Sequence, residues 1–94
     1  MKIDGRVTDP DGKPLSAYIS MVDLNSGKRI YNGRPNSDGT FLVYAMEGSQ
    51  YELGIDPEHG NKTYYSKRLD LTSEKIPQVE KVHAVLKQLM PGDE

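Results

Sequence analysis

The feature that most constrains this chain is a series of short turns that separate stretches of alternating apolar and polar residues. Each turn combines glycine with Asp, Asn, Ser or Pro, the residue types that form tight turns. The turns lie at residues 9–14, 25–27, 36–39, 47–49 and 56–61. Strands separated by such turns every eight to twelve residues or so are typical of an all-β sandwich or small barrel.

In most segments between the turns, apolar residues occupy every second position, whereas the segment 28–34 is more polar. In the first segment, Ile3 and Val7 alternate with Asp4 and Arg6. A period of two predicts a strand with one buried face. The segments that we predict as strands are 2–8, 17–22, 28–34, 41–46, 51–56 and 62–71.

The inward-facing positions of these strands give a predicted core. It comprises Ile3, Val7, Ala17, Ile19, Met21, Phe41, Val43, Tyr51, Leu53, Ile55, Leu69 and Leu71. Phe41 is the only Phe of the chain, and we expect it to be among the most buried residues.

The carboxyl-terminal segment fits two patterns. Val79, Val82 and Leu86 would share one face of a helix, whereas Val82, Ala84 and Leu86 alternate as in a strand. We favour the strand, because a seventh strand would complete a sandwich. Residues 1–90 are therefore predicted to form one all-β domain, a seven-stranded antiparallel Greek-key sandwich, with 91–94 as a linker or tail.

Length and composition exclude several classes of function. The chain has 94 residues, which is room for one domain. Twelve basic and fourteen acidic residues give a net charge of −2, so we expect no binding to nucleic acid. There is no Cys for a disulfide or a Cys-based zinc site. No apolar run approaches the roughly 18 residues of a membrane span.

The amino terminus lacks the apolar stretch of a secretory signal peptide. Two interpretations stay open on this point. The chain is either a cytoplasmic protein or one domain of a longer exported protein.

Several motifs along the chain carry a resemblance to a known family. They are GRVTD at 5–9, GKPL at 12–15, AYISM at 17–21, SDGTF at 37–41 and GSQYEL at 48–53. Together they resemble carboxypeptidase regulatory-like domains, which have a transthyretin-like (prealbumin-like) β-sandwich fold. The resemblance covers residues 2–71 and extends more weakly over 72–90.

A further motif, YYSKRLDL at 64–71, resembles a subgroup of these domains. That subgroup occurs in large Bacteroidetes envelope proteins that also carry an outer-membrane protein A-like, peptidoglycan-binding domain, one of them a type IX secretion component. The resemblance implies a periplasmic, outer-membrane-associated location. It also implies a non-catalytic spacer and interaction module whose partners are neighbouring domains or envelope proteins. Peptidoglycan would be bound only by a separate domain that this chain does not include.

Residues capable of catalysis are few. His59 and His83 lie in different predicted elements, and neither has a partner at the usual metal-ligand spacing. Ser66 could pair with His83, but no nucleophile-elbow motif is present. We therefore expect no enzymatic activity and no cofactor.

Three aspartates, Asp9, Asp11 and Asp38, raise the possibility of calcium. The rest of a calcium loop, with its bidentate Glu, is missing. Asp side chains in turns cap the backbone of their own turn. We therefore interpret the three as turn residues and expect no metal site.

The remaining signal is a set of aromatic and apolar residues at outward-facing positions. They are Tyr18, Val22, Leu42, Tyr44 and Met46. If their two strands are adjacent, these side chains merge into one docking surface of the composition found at interfaces. The alternative is a ligand-binding function, in which exposed Tyr or a free sheet edge binds a glycan or a peptide.

Overall fold

In the computed structural model, residues 1–58, 63–73, 75–76 and 78–88 are described. Within these ranges the chain forms seven strands and no helix. The strands are β1 (Lys2–Thr8), β2 (Ala17–Asp23), β3 (Arg29–Gly33), β4 (Thr40–Tyr44), β5 (Gln50–Pro57), β6 (Tyr65–Asp70) and β7 (Val79–Val85). Each of β1 to β6 lies largely within a segment that the sequence predicts as a strand, and the segment that fitted both patterns forms β7.

The strands form two sheets whose inner faces enclose one core, an arrangement that fits a β-sandwich. A three-stranded sheet has the order β4-β1-β7, and a four-stranded sheet has the order β3-β2-β5-β6. Every residue of the predicted core is buried. The structure adds Ala45, Val82, Ala84 and Leu86.

Phe41 anchors β4 from the inner face. Its side chain is only 3% exposed, which confirms the prediction. It lies opposite Gly5 of β1, and its ring occupies the space that a Cβ on residue 5 would need. The absence of a side chain at Gly5 therefore lets the ring pack directly on β1.

One strand pairing departs from the sequence prediction. β1 and β7 are parallel, from Lys2 beside Val79 to Thr8 beside Val85. The prediction of a wholly antiparallel sandwich is therefore wrong. β6 belongs to the four-stranded sheet, and β7 belongs to the three-stranded sheet. The chain therefore crosses between the sheets, and β7 runs beside β1 in the same direction. Alternation cannot reveal this, because both kinds of pairing place side chains on alternate faces.

The turns have the chemistry that the sequence predicts. Asp9 Oδ1 accepts hydrogen bonds from the backbone N–H groups of Asp11 and Lys13, both at 2.9 Å. Asp38 Oδ1 accepts one from the N–H of Thr40 at 3.0 Å. The turn role of Asp9 and Asp38 is therefore confirmed. The turn glycines with positive φ are Gly12, Gly27, Gly39 and Gly48.

Candidate functional site

Most of the predicted docking residues are at the surface. Tyr18, Leu42, Tyr44 and Met46 are 43%, 44%, 69% and 80% exposed. Val22 is half-buried. The outward orientation that the alternation predicts is therefore correct for the exposed four.

These residues do not form one surface. β2, with Tyr18 and Val22, belongs to the four-stranded sheet, whereas β4, with Leu42 and Tyr44, belongs to the three-stranded sheet. The outer faces of the two sheets point in opposite directions. The prediction of one merged patch on adjacent strands is therefore wrong. Strand order depends on long-range pairing, and β2 pairs with β3 and β5 while β4 pairs with β1.

The first candidate surface is the β4 strip, which we define as Leu42, Tyr44 and Met46. β4 is the edge of its sheet, with β1 as its neighbour. Gly39 O accepts a hydrogen bond from β1, and Ala45 N donates one toward Met1. Odd-numbered backbone groups of β4 therefore face β1, and the backbone N–H and C=O of Leu42 and Tyr44 face the open edge.

The open edge of β4 differs from the other three sheet edges. Edge strands are usually protected against unwanted pairing by charges, prolines or bulges. β3 carries Arg29 and a register shift opposite Met21 and Val22. The other two edge strands, β6 and β7, carry charged side chains, namely Lys67, Arg68, Asp70, Glu80 and Lys81. The sequence of β4, TFLVY, contains no charge and no proline.

The second candidate surface is a groove on the outer face of the four-stranded sheet. We call it the tyrosine groove, and its lining residues are Tyr18, Ser20, Arg29, Asn32, Asp56 and Tyr64. Its volume is about 410 Å³. Strand register brings these residues together, because Tyr18 lies beside Asp56 and Ser20 lies between Asn32 and Gly54.

Tyr18 is held in place by a chain of polar contacts. The Arg34 guanidinium lies 4.8 Å from the centre of the Tyr18 ring, a cation–π distance, and donates a 3.1 Å hydrogen bond to its hydroxyl. Arg34 Nη1 in turn lies 3.3 Å from Glu58 Oε1. Arg34 does not itself line the groove. Arg34 therefore restricts the movement of the Tyr18 ring without occupying the groove.

Tyr64 forms the opposite wall, and the sequence reasoning did not identify it. Its hydroxyl lies over Gly54, where a Cβ would be, and close to Ser20. The small residues Gly54 and Ser20 thus make room for the Tyr64 hydroxyl at the sheet face. Tyr64 lies within the predicted strand 62–71, but β6 begins one residue later, at Tyr65. Its only sequence signal was the position at the start of the YYSKRLDL motif.

An ion pair joins the two sheets at the side of the sandwich formed by β6 and β7. Lys67 Nζ of β6 donates a 2.8 Å hydrogen bond to Glu80 Oε1 of β7. This hydrogen bond raises the pKa of Lys67 above its ordinary value. The charges are about one-third exposed, so the pair links the sheets while remaining in contact with water.

Among the described residues, three carboxyl groups have lowered pKa values, each through hydrogen bonding to the ionised form. Ser49 has the largest effect on the pKa of Asp23, because its hydroxyl donates to Asp23 Oδ1 at 2.6 Å. Thr40 lowers the pKa of Asp38 through its hydroxyl and backbone N–H. Thr72 does the same for Asp70. These carboxylates stabilise turns and are not placed as acid–base groups.

The residues considered for catalysis are not brought together. His83 is exposed on the three-stranded sheet, as expected, and its Nε2 lies 2.8 Å from Thr8 Oγ1. Ser66 lies on the outer face of the other sheet. His59 lies outside the described residues. In the described part of the chain, no group of three or more His, Cys, Asp or Glu side chains is arranged to hold a metal ion.

Comparison with known proteins does not indicate the function of either surface. The sequence matches no protein-family model and no curated protein. The described residues contain no helix long and apolar enough to cross a membrane. The function is therefore inferred from the two surfaces and from the sequence motifs.

Proposed function

We propose that the chain is a non-catalytic spacer and interaction module of the carboxypeptidase regulatory-like type, with transthyretin-like Greek-key topology. It belongs to a longer envelope protein of the periplasm, associated with the outer membrane and related to outer-membrane protein A-like or type IX secretion proteins. The motifs within residues 2–71 support this origin, and the all-β, two-sheet fold is compatible with it. Any contact of the parent protein with peptidoglycan is made by a separate domain.

The observation that carries the docking role is the β4 strip beside an unprotected sheet edge. Backbone groups of Leu42 and Tyr44 face that edge, and no strand among the described residues pairs with them. An extended segment of a neighbouring domain can add to β4 as a further strand. Main-chain hydrogen bonds then supply affinity, and the exposed apolar side chains of the strip are covered.

The other side of the sandwich suits the spacer role. The Lys67–Glu80 pair joins the outer edges of the two sheets, and the core between the sheets is continuous. A docked strand on β4 would therefore be held at a fixed distance from the opposite side of the module. The module thus sets the separation and the orientation of the domains that flank it.

The test measures association between this domain and the isolated flanking domains of its parent protein by titration calorimetry. A Leu42→Lys, Tyr44→Ser variant adds an edge charge and removes an aromatic contact. We expect it to bind at least about tenfold more weakly, because interface aromatics and edge pairing are both lost. Its circular dichroism should be unchanged, since both side chains point to solvent.

Val79→Ser is the matched control, because Val79 is an exposed apolar residue on the opposite edge strand of the same sheet. We expect it to bind like the wild type. Normal binding by the β4 variant would overturn the assignment of the docking edge. No binding by the wild-type domain would remove the docking role and leave the spacer role alone.

A further inference from the structure

We propose that the tyrosine groove is a carbohydrate-binding site that holds one pyranose ring of a neutral oligosaccharide between Tyr18 and Tyr64. This goes beyond the spacer and docking role, which uses the opposite face of the sandwich. The groove volume of about 410 Å³ lies within the range of roughly 300–1,000 Å³ for small-molecule sites.

The shape of the groove comes from a contrast in side-chain size. Tyr18, Tyr64 and the small Ser20 all line the groove. A larger side chain at position 54 would compete with the Tyr64 hydroxyl. The absence of a side chain at Gly54 therefore lets the Tyr64 hydroxyl lie against the sheet near Ser20, where it adds a donor and an acceptor to the groove.

The chemistry of the lining matches a sugar ring. A pyranose presents apolar C–H faces and a rim of hydroxyls that both donate and accept hydrogen bonds. The two tyrosines supply aromatic surface with a polar tip. The Asn32 amide both donates and accepts, Asp56 accepts and Arg29 donates. Small-molecule sites are mostly apolar, so a groove this polar favours a ligand covered with hydroxyl groups.

The charges of the groove indicate a neutral ligand. Arg29 and Asp56 contribute one positive and one negative charge. Arg34, behind Tyr18, is paired with Glu58. A phosphorylated or nucleic-acid ligand would need an excess of positive charge, which the described lining residues do not supply.

The Tyr18 wall is also positioned before any ligand binds. Arg34 contacts the Tyr18 ring and its hydroxyl, and Glu58 holds Arg34. Side chains that are already ordered lose less conformational entropy on binding. A groove in which the Tyr18 wall is fixed can thus bind a sugar despite its open shape.

The experiment is a titration of the ¹⁵N-labelled 94-residue chain with cellotetraose, maltotetraose and tetra-N-acetylchitotetraose, followed by amide chemical shifts. We expect saturable shifts with at least one of them. The affected amides should be those of residues 18–20, 29–32, 54–56 and 64. No saturable shift with any of the three would overturn the proposal, and so would shifts confined to the three-stranded sheet.

Variants then separate the groove from the rest of the surface. Tyr64→Ala and Asn32→Ala should each weaken the binding about tenfold, the effect of losing one ring contact or one hydrogen-bonding amide. Tyr44→Ala removes an exposed tyrosine from the opposite face and should leave binding unchanged. Equal losses in Tyr44→Ala and Tyr64→Ala would overturn the assignment to the groove.

Discussion

The two outer faces of the sandwich both expose tyrosine, but they hold it differently. On the four-stranded sheet, Tyr18 is contacted by Arg34, which is itself paired with Glu58. On the three-stranded sheet, Tyr44 is more exposed and makes no side-chain hydrogen bond among the described residues. Ordered polar neighbours fit the recognition of a small polar ligand. Unpartnered apolar side chains beside open backbone groups fit pairing with a strand.

The proposed docking edge requires that β4 pack firmly on the core through its inner face. Phe41→Ala tests this packing and has the largest expected effect. Loss of the buried ring that packs on Gly5 should lower the free energy of unfolding by about 3–5 kcal/mol. Urea denaturation gives this value. Leu42→Ala, on the outer face of the same strand, is the control and should change it by at most about 0.5 kcal/mol. Similar effects of the two variants would contradict the inward–outward assignment of β4.

The Tyr64 hydroxyl occupies the space of the side chain that Gly54 lacks, and Gly54→Ala tests how rigid this wall of the groove is. The new methyl group would meet the Tyr64 hydroxyl, but the phenol can swing toward solvent. We therefore expect destabilisation of only about 1 kcal/mol, the lower end for overpacking. Chemical denaturation measures it, and the Gly54→Ala, Tyr64→Ala double variant should recover most of the loss. No recovery would show that the cost arises from the backbone and not from the tyrosine.

A smaller effect distinguishes the held tyrosine from the unheld one. Arg34→Ala removes a cation–π contact, a hydrogen bond and a partly exposed ion pair, so it should cost about 0.5–1 kcal/mol. A double-mutant cycle with Tyr18→Ala isolates the coupling between the two side chains. The same cycle between Arg34 and Tyr44 should give no coupling, because they lie on opposite sheets. Zero coupling between Arg34 and Tyr18 would show that Arg34 does not order the Tyr18 wall before a ligand binds.

The smallest effect concerns the link between the two regions. Asp23 ends β2 of the groove sheet, and Ser49 lies in the turn after β4, so their hydrogen bond ties one region to the other. Ser49 lowers the pKa of Asp23 below its ordinary value of 3.8. The stabilisation is therefore complete above that ordinary value and is lost as pH falls through the lower pKa of the folded state.

Ser49→Ala should consequently weaken the decline in unfolding free energy below about pH 4. The change should be small, because Asp23 is in contact with solvent. Denaturation curves of the wild type and the variant between neutral and acidic pH measure it. Parallel curves for the two proteins would show that the Ser49 hydrogen bond does not govern the titration of Asp23.

Sequence reasoning predicted the local elements well. Residues such as Ile19 and Leu53 were assigned to the core correctly, because the strand pleat makes side-chain direction a property of the local sequence. Asp9 and Asp38 were assigned to turns for the same reason, since their hydrogen bonds reach only a few residues along the chain. Tyr64 was missed, although it lies within the predicted strand 62–71, because alternation within one strand does not show that its hydroxyl meets Gly54 and Ser20 of other strands.

The sequence by itself thus determined where strands and turns form and which face of each strand is buried. Only the tertiary structure decided which strands are neighbours, that β1 and β7 run parallel, and that Tyr18 and Tyr64 face one groove while Tyr44 lies on the opposite side. The physical reason is the range of the interactions. Alternation reflects contacts within one strand, whereas strand order depends on hydrogen bonds and packing between segments that are far apart in the chain.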